Sequence, residues 1–198
     1  MNSTWAKGFT LVELLVSIGI FTIITAVSVF NYSSFNASIL LTNLSYEIAL
    51  SVRQAQFYGI NVRQSTTDNK FDSGYGVHFD DDSTSYTLFE DTNKNHVYDS
   101  GTDVSLNSYT IQRGNKVSKL CVVTSVPPVN CTLTLLDLSF IRPNPDSFIN
   151  KNGIADDWKT SGAQTAIICL TSPNKVLRKV VVESTGQISV STSAPECI

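Results

Sequence analysis

Between Glu13 and Glu47 the chain carries no Asp, Glu, Lys or Arg, and residues 9–30, overlapping that gap, read FTLVELLVSIGIFTIITAVSVF. A helix of about 20 residues, at ~1.5 Å per residue, crosses the ~30 Å hydrocarbon core of a bilayer. This run therefore needs either a membrane or other chains around it. A secretory signal peptide needs a shorter apolar run, about 7–15 residues, and a small-x-small cleavage site. Lys7 supplies the basic flank and Ala26-Val27-Ser28 such a site, but the run is too long and contains Glu13. A plain anchor accounts for the length, and Lys7 on its N-terminal side would leave the rest of the chain outside. Neither reading explains Glu13, since a carboxylate in hydrocarbon costs about 2.5–3.5 kcal/mol on insertion scales and marks a function.

Lys7-Gly8-Phe9-Thr10-Leu11-Val12-Glu13 and the apolar stretch behind it resemble the prepilin signature of type IV pilins and type II secretion pseudopilins. The resemblance implies cleavage between Gly8 and Phe9 by prepilin peptidase and N-methylation of the new terminus at Phe9. It gives Glu13 an assembly role, pairing with the terminal amine of a neighbouring subunit. The residue chemistry agrees. Glycine before the cut leaves the backbone accessible. Glu13, four residues after Phe9, lies one turn along on nearly the same helix face. The implied partners are other pilin or pseudopilin subunits, the peptidase and an inner-membrane assembly platform. The implied location is the cytoplasmic membrane, single-pass with the head outside, and then a pilus or pseudopilus filament.

Beyond Phe30 the helical pattern continues. Leu41, Leu44, Ile48, Val52 and Ala55 follow steps of three and four, with Asn43, Glu47, Gln54 and Gln56 between them. Gly59 reads as a helix stop. Asn31-Tyr32-Ser33-Ser34 reads as a place where the helix loosens. Gly19, with Ser17, Thr22, Thr25 and Ser28, suits close helix packing. From about Asn61 the period changes to short β-branched and aromatic runs at 75–79, 86–90, 108–112, 116–123, 133–140, 166–170, 176–183 and 187–190. The expected fold is α+β. A long N-terminal helix, about 10–58, packs on a β-rich head of about eight antiparallel strands. The organisation is a leader at 1–8, a membrane or filament-core half-helix at 9–30, an amphipathic half-helix at 31–60 and the head at 61–198.

A second resemblance covers part of the head. Residues 44–62, Leu138-Ser-Phe-Ile-Arg-Pro143 and residues 180–190 are similar to segments of GspH/FimT-type minor pilins. Members of that group implicated in DNA uptake carry basic residues near the C-terminus. Here residues 191–198 carry none and include Glu196. Lys175, Arg178 and Lys179 form a small basic cluster that reads as a solvated strand end. With a net charge of −3 there is no strong basic field, and nucleic acid is not an expected partner.

All four cysteines, Cys121, Cys131, Cys169 and Cys197, lie in the head. An even count outside the cytoplasm suggests two disulfides, and four cysteines permit three pairings. The preferred one joins Cys121 to Cys131 around a Pro127-Pro128 loop and Cys169 to Cys197 at the tail. Zinc is disfavoured because no Cys-x-x-Cys occurs. One segment has the spacing of a calcium loop. Asp91, Asn93, Asn95 and Asp99 place oxygens at positions 1, 3, 5 and 9, with the Val97 carbonyl at 7. His96 stands where such loops have glycine, and Thr102 where they have a bidentate Glu; Asp103 is the substitute. The competing reading is a polar hairpin tip. Residues 150–157 form a second Asn/Asp-rich stretch, and Asp80-Asp81-Asp82 a turn. No Gly-rich phosphate loop, His-Glu-x-x-His or Gly-x-Ser-x-Gly is present, and His78 and His96 are the only imidazoles. No catalysis is expected. The alternative function is a membrane-anchored, extracytoplasmic β-rich domain that binds a substrate or DNA.

Overall fold

A computed structural model describes residues 8–61, 63–67, 70–124, 129–153 and 162–198, with the side chains of 30–34 excepted. One helix, α1 (Leu11–Ile60), spans 50 residues, or about 75 Å at the α-helical rise. It starts with a reciprocal cap. Thr10, in extended backbone, accepts from the Glu13 amide through its hydroxyl, and the Glu13 carboxylate accepts from the Thr10 amide. The backbone stays helical through 31–34, so the expected loosening there is absent. The helix ends at Ile60, where the Asn61 N–H and side-chain amide both donate to the Phe57 carbonyl.

Gly59 is therefore inside the last turn, and it is not the stop. Its reason is packing: a Cβ there would stand 2.4 Å from the Phe140 carbonyl oxygen.

Ten strands follow among the described residues. They are β1 (Gly74–Asp80), β2 (Ser85–Asp91), β3 (Val104–Thr110), β4 (Lys116–Thr124), β5 (Asn130–Leu133), β6 (Leu135–Phe140), β7 (Ser147–Lys151), β8 (Ala163–Thr171), β9 (Leu177–Glu183) and β10 (Ile188–Ser191). All pair antiparallel, in two five-stranded sheets ordered β3-β2-β1-β6-β7 and β10-β9-β8-β4-β5. Three boundaries differ from the sequence reading. The run at 133–140 breaks at Thr134 into parts of β5 and β6. β3 begins earlier than expected and stops at Thr110. β7 occupies Asn150 and Lys151, the start of the stretch read as a second loop. Residues 154–161 and Pro127-Pro128 lie outside the described residues.

The second half of α1 packs against β1 and β6 of one sheet and β9 and β10 of the other. Leu41, Leu44, Ile48, Val52 and Ala55 all point inward, joined by Val77, Phe79, Leu138, Phe140, Ile168 and Val180 in one core. Gln56, expected between the core positions, is buried as well. Its side-chain amide donates to the Pro145 and Gly186 carbonyls, both at 2.9 Å, tying the helix to two distal loops. Strand directions orient the head. Gly59, Gly74 and Phe140 meet at its far end, so the turns after β1, β3 and β8 lie at the end nearest the N-terminal half of α1.

Candidate functional site

Among the described residues the N-terminal half of α1 packs against nothing else in its own chain. Residues Leu11–Val29 are long and apolar enough to cross a membrane, and none of that window is buried inside the molecule. Three of its hydroxyls are bonded within the helix. Thr22 donates to the Ile18 carbonyl at 2.7 Å, Thr25 to Phe21 at 2.7 Å and Ser28 to Ile24 at 2.9 Å. Those three hydroxyl protons therefore need no partner from outside the helix.

At its tip, Gly8 and Phe9 precede the helix in non-helical backbone, and Phe9 is 80% exposed. A peptide bond here is open to a protease. Glu13 faces outward, one turn in. Its Oε2 accepts from the Thr10 amide at 3.0 Å and from the Thr10 hydroxyl at 2.9 Å. This carboxylate therefore neutralises the positive end of its own helix. Residues 1–7, with Lys7, lie outside the described residues.

The cysteines close two loops, Cys121–Cys131 and Cys169–Cys197, with sequence separations of 10 and 28. The first ties β4 to the edge strand β5. The second fixes the C-terminal 3₁₀ turn (Pro195–Cys197) to β8. Cys121, Cys169 and Cys197 are buried with Ile167 and Ala194 in a small second cluster. Lys179 pairs with Glu196 at 2.9 Å, and the Lys119 ammonium donates to the Ile198 carbonyl at 2.7 Å. Arg178 reaches back to α1, donating to the Thr42 hydroxyl at 3.1 Å and the Ser38 hydroxyl at 2.8 Å. The basic cluster read from sequence is thus dispersed: two of its members are structural ties, and Lys175 alone faces solvent.

The 91–103 segment folds over the outer surface of the first sheet. Asp91 ends β2 and is fully buried. Its Oδ1 accepts from the Asn95 amide at 3.2 Å and its Oδ2 from the His96 amide at 2.9 Å. Asn93 accepts from the Asn95 amide at 3.0 Å, and Asn95 from the Val97 amide at 2.9 Å. Asp103 accepts from the Asp99 and Thr92 amides at 2.8 and 3.0 Å. The side-chain amides of Asn93 and Asn95 converge on one Asp99 oxygen, at 3.0 and 2.5 Å. His96 adopts φ +68°, making the left-handed turn for which such loops use glycine. Burial pushes the Asp91 carboxyl above its ordinary range, and the Asp103 charge adds to this. Among the described residues no three His, Cys, Asp or Glu side chains are grouped so as to hold a metal by themselves.

Sequence reasoning missed what holds this loop down. The His96 ring stacks on Phe148, with centroids 3.9 Å apart, and its Nδ1 lies 3.3 Å from the Ser139 hydroxyl. Asn150 donates to the His96 carbonyl. Tyr98 packs on His78 and Phe89. The His78 Nδ1 lies 2.6 Å from the nearly buried Asp137. Both imidazoles thus serve the packing of loop on sheet. Ser139 and Asp137 alternate along β6, and that alternation of polar residues was the only signal available.

Residues 6–29 match the family model described as the prokaryotic N-terminal methylation motif. The match covers Gly8, Phe9, Glu13 and the apolar half of α1, and in this the chain is similar to type IV pilins. No curated protein and no solved structure matches the chain.

Proposed function

We propose that the chain is a minor pilin or pseudopilin, a structural subunit of a type IV pilus or type II secretion pseudopilus, similar in its head to the GspH/FimT-type subunits. The observation that carries this is the methylation motif at 6–29, set on a helix whose apolar half is unburied and whose other half is the spine of the head. The precursor waits in the cytoplasmic membrane with its head outside. Prepilin peptidase cuts after Gly8, and Phe9 is methylated. The cut frees an amine, Glu13 leaves its capping role for a neighbour's terminus, and Leu11–Val29 exchanges lipid for the helices of other subunits. Inside a low-dielectric bundle that ion pair is worthwhile only in correct register. The role is assembly rather than catalysis. Mass spectrometry of the chain extracted from membranes tests this: the expected N-terminus is N-methyl-Phe9. Intact Met1–Gly8 in cells with active peptidase would overturn it.

A second proposal concerns the 91–103 loop, for which calcium is the fitting ligand. Asp91, Asn93, Asn95, the Val97 carbonyl, Asp99 and Asp103 offer hard oxygens. In its favour are the left-handed turn at His96 and the burial of two carboxylates, Asp91 and Asp103, in one loop. Such a cation would stiffen the distal tip of the head.

A further inference from the structure

We propose that the head of the anchored precursor rests on the membrane surface through anionic phospholipid headgroups, held at a cleft between α1 and the β3–β4 and β8–β9 turns. This rests on the membrane-anchored state proposed above and on no later step of assembly.

The cleft, of about 290 Å³, is lined by Asn36, Leu40, Arg113, Asn115, Pro173 and Asn174. Two turns from different parts of the second half of the chain come together here because Gly114, at φ +72°, packs on Pro173; a Cβ on Gly114 would stand 2.8 Å from the proline ring. Each turn carries an exposed cation on a left-handed residue, Arg113 at φ +62° and Lys175 at φ +59°. Among the described residues neither side chain has a hydrogen-bond or ion-pair partner. The nearby acidic turn does not neutralise them. Asp82 pairs with Lys116, Asp80 faces His78 at 3.4 Å, and Asp81 is left exposed to solvent.

The position relative to the bilayer follows from the helix. The apolar window ends at Val29, and Asn36 comes seven residues later, about 10 Å along the axis. The polar headgroup layer fills roughly 5–7 Å of that distance, and an extended arginine side chain covers the remainder. The cleft therefore opens just above the headgroup layer, with Arg113 in its lining and Lys175 on the adjoining turn for a phosphate, and with the amides of Asn36 and Asn115 for glycerol hydroxyls. Cations next to an anionic surface strengthen binding by about fivefold each. The pair would hold the head down while the chain waits, and would release it when α1 is drawn out of the bilayer.

The test uses the full chain in lipid nanodiscs of phosphatidylcholine alone, or of phosphatidylcholine mixed with phosphatidylglycerol. Hydrogen exchange is read at 111–115 and 172–176. Exchange in both turns should slow by about fivefold or more in the anionic discs, and high salt should remove the effect by shortening the screening length. Arg113→Gln combined with Lys175→Gln, at exposed positions that leave the fold intact, should also remove it. Equal exchange in the two lipids would overturn the proposal, as would protection that survives in the double variant. Equal protection in zwitterionic discs on adding free glycerol 1-phosphate would overturn it too, showing a site for a soluble anion. A chain that stays out of the discs would overturn the anchor itself, and the lipid contact with it.

Discussion

A side chain on Gly59 would stand 2.4 Å from the Phe140 carbonyl oxygen and 2.9 Å from its Cβ. No rotamer relieves that clash, because the obstructing atoms are backbone on one side and the root of a buried side chain on the other. Gly59→Ala must push the end of α1 off β6. We expect a loss of about 1–3 kcal/mol or more in head stability, as overpacking in cores costs, read as a lower melting temperature. Gly19→Ala, in open space on the same helix, should leave that melting temperature unchanged.

The two disulfides close loops of different length, and chain entropy assigns about 3 kcal/mol to the Cys121–Cys131 bond and about 3.5 kcal/mol to the Cys169–Cys197 bond. Non-reducing peptide mapping should recover these two pairs and no others. Cys169→Ser with Cys197→Ser should loosen the tail and lower the denaturation midpoint. Any map with crossed pairs would contradict the structure.

Glu13 plays its cap in a part of the helix far from the head. Glu13→Gln keeps an acceptor for the Thr10 amide, so helix start and head stability should hold within a few tenths of a kcal/mol. The same variant removes the charge that the proposed pairing with a neighbour's Phe9 amine requires. Cleavage after Gly8 should continue, while incorporation into purified filaments falls steeply. Normal incorporation would refute the assembly role.

His78 sits between Asp137 and Asp80. Burial alone lowers its pKa, but the hydrogen bond and charge of Asp137, with Asp80 behind them, prevail and hold it above the ordinary 6.5. A folded pKa above the unfolded one gives stabilisation that is fully present below pH 6.5 and is lost as pH rises through the folded value. Thermal stability should therefore decline over a window starting just above pH 6.5, and His78→Gln should flatten that decline. An NMR titration of His78 with a midpoint at or below 6.5 would contradict this reading.

If the 91–103 loop takes calcium, millimolar calcium should raise the melting temperature of the full chain in detergent by several degrees. Asp91→Ala should abolish the rise. Because Asp91 is buried and its loss could unfold the loop outright, Asp99→Asn serves as the milder variant. It keeps an oxygen for the side-chain amides of Asn93 and Asn95 yet should weaken the response. No shift at millimolar calcium would leave the loop as a self-bonded hairpin tip.

The long helix and the class of the head were legible because their causes are local. A charge-free apolar run of bilayer length admits few environments. The steps among Leu41, Leu44, Ile48, Val52 and Ala55 define one buried face whatever it packs against. Alternating β-branched runs read as strands wherever turn residues separate them. The break at Thr134 was not legible. Neither was β7, whose polar Asn150 and Lys151 are in a strand because β6 lies beside them. Gly59 looked like a stop because glycine is common past helix ends; its actual reason is a backbone 81 residues away in sequence, at Phe140.

The sequence by itself determined the N-terminal pattern: a Gly8-Phe9 junction ahead of the helix, Glu13 one turn inside, and an apolar helix too long for its own domain. Those properties depend on neighbours within one or two turns, which is the range over which sequence alone specifies geometry. Tertiary structure decided everything that depends on distant segments meeting. It paired the cysteines, drew Gln56 into the core, spent Arg178 and Lys179 on ties to α1 and the tail, and used both histidines to hold the 91–103 loop. It also brought Arg113 and Lys175 to the end of the head nearest the apolar half of α1. Pattern does not encode such meetings, because they follow from which strands become neighbours, and that is settled by the packing of two sheets around one helix.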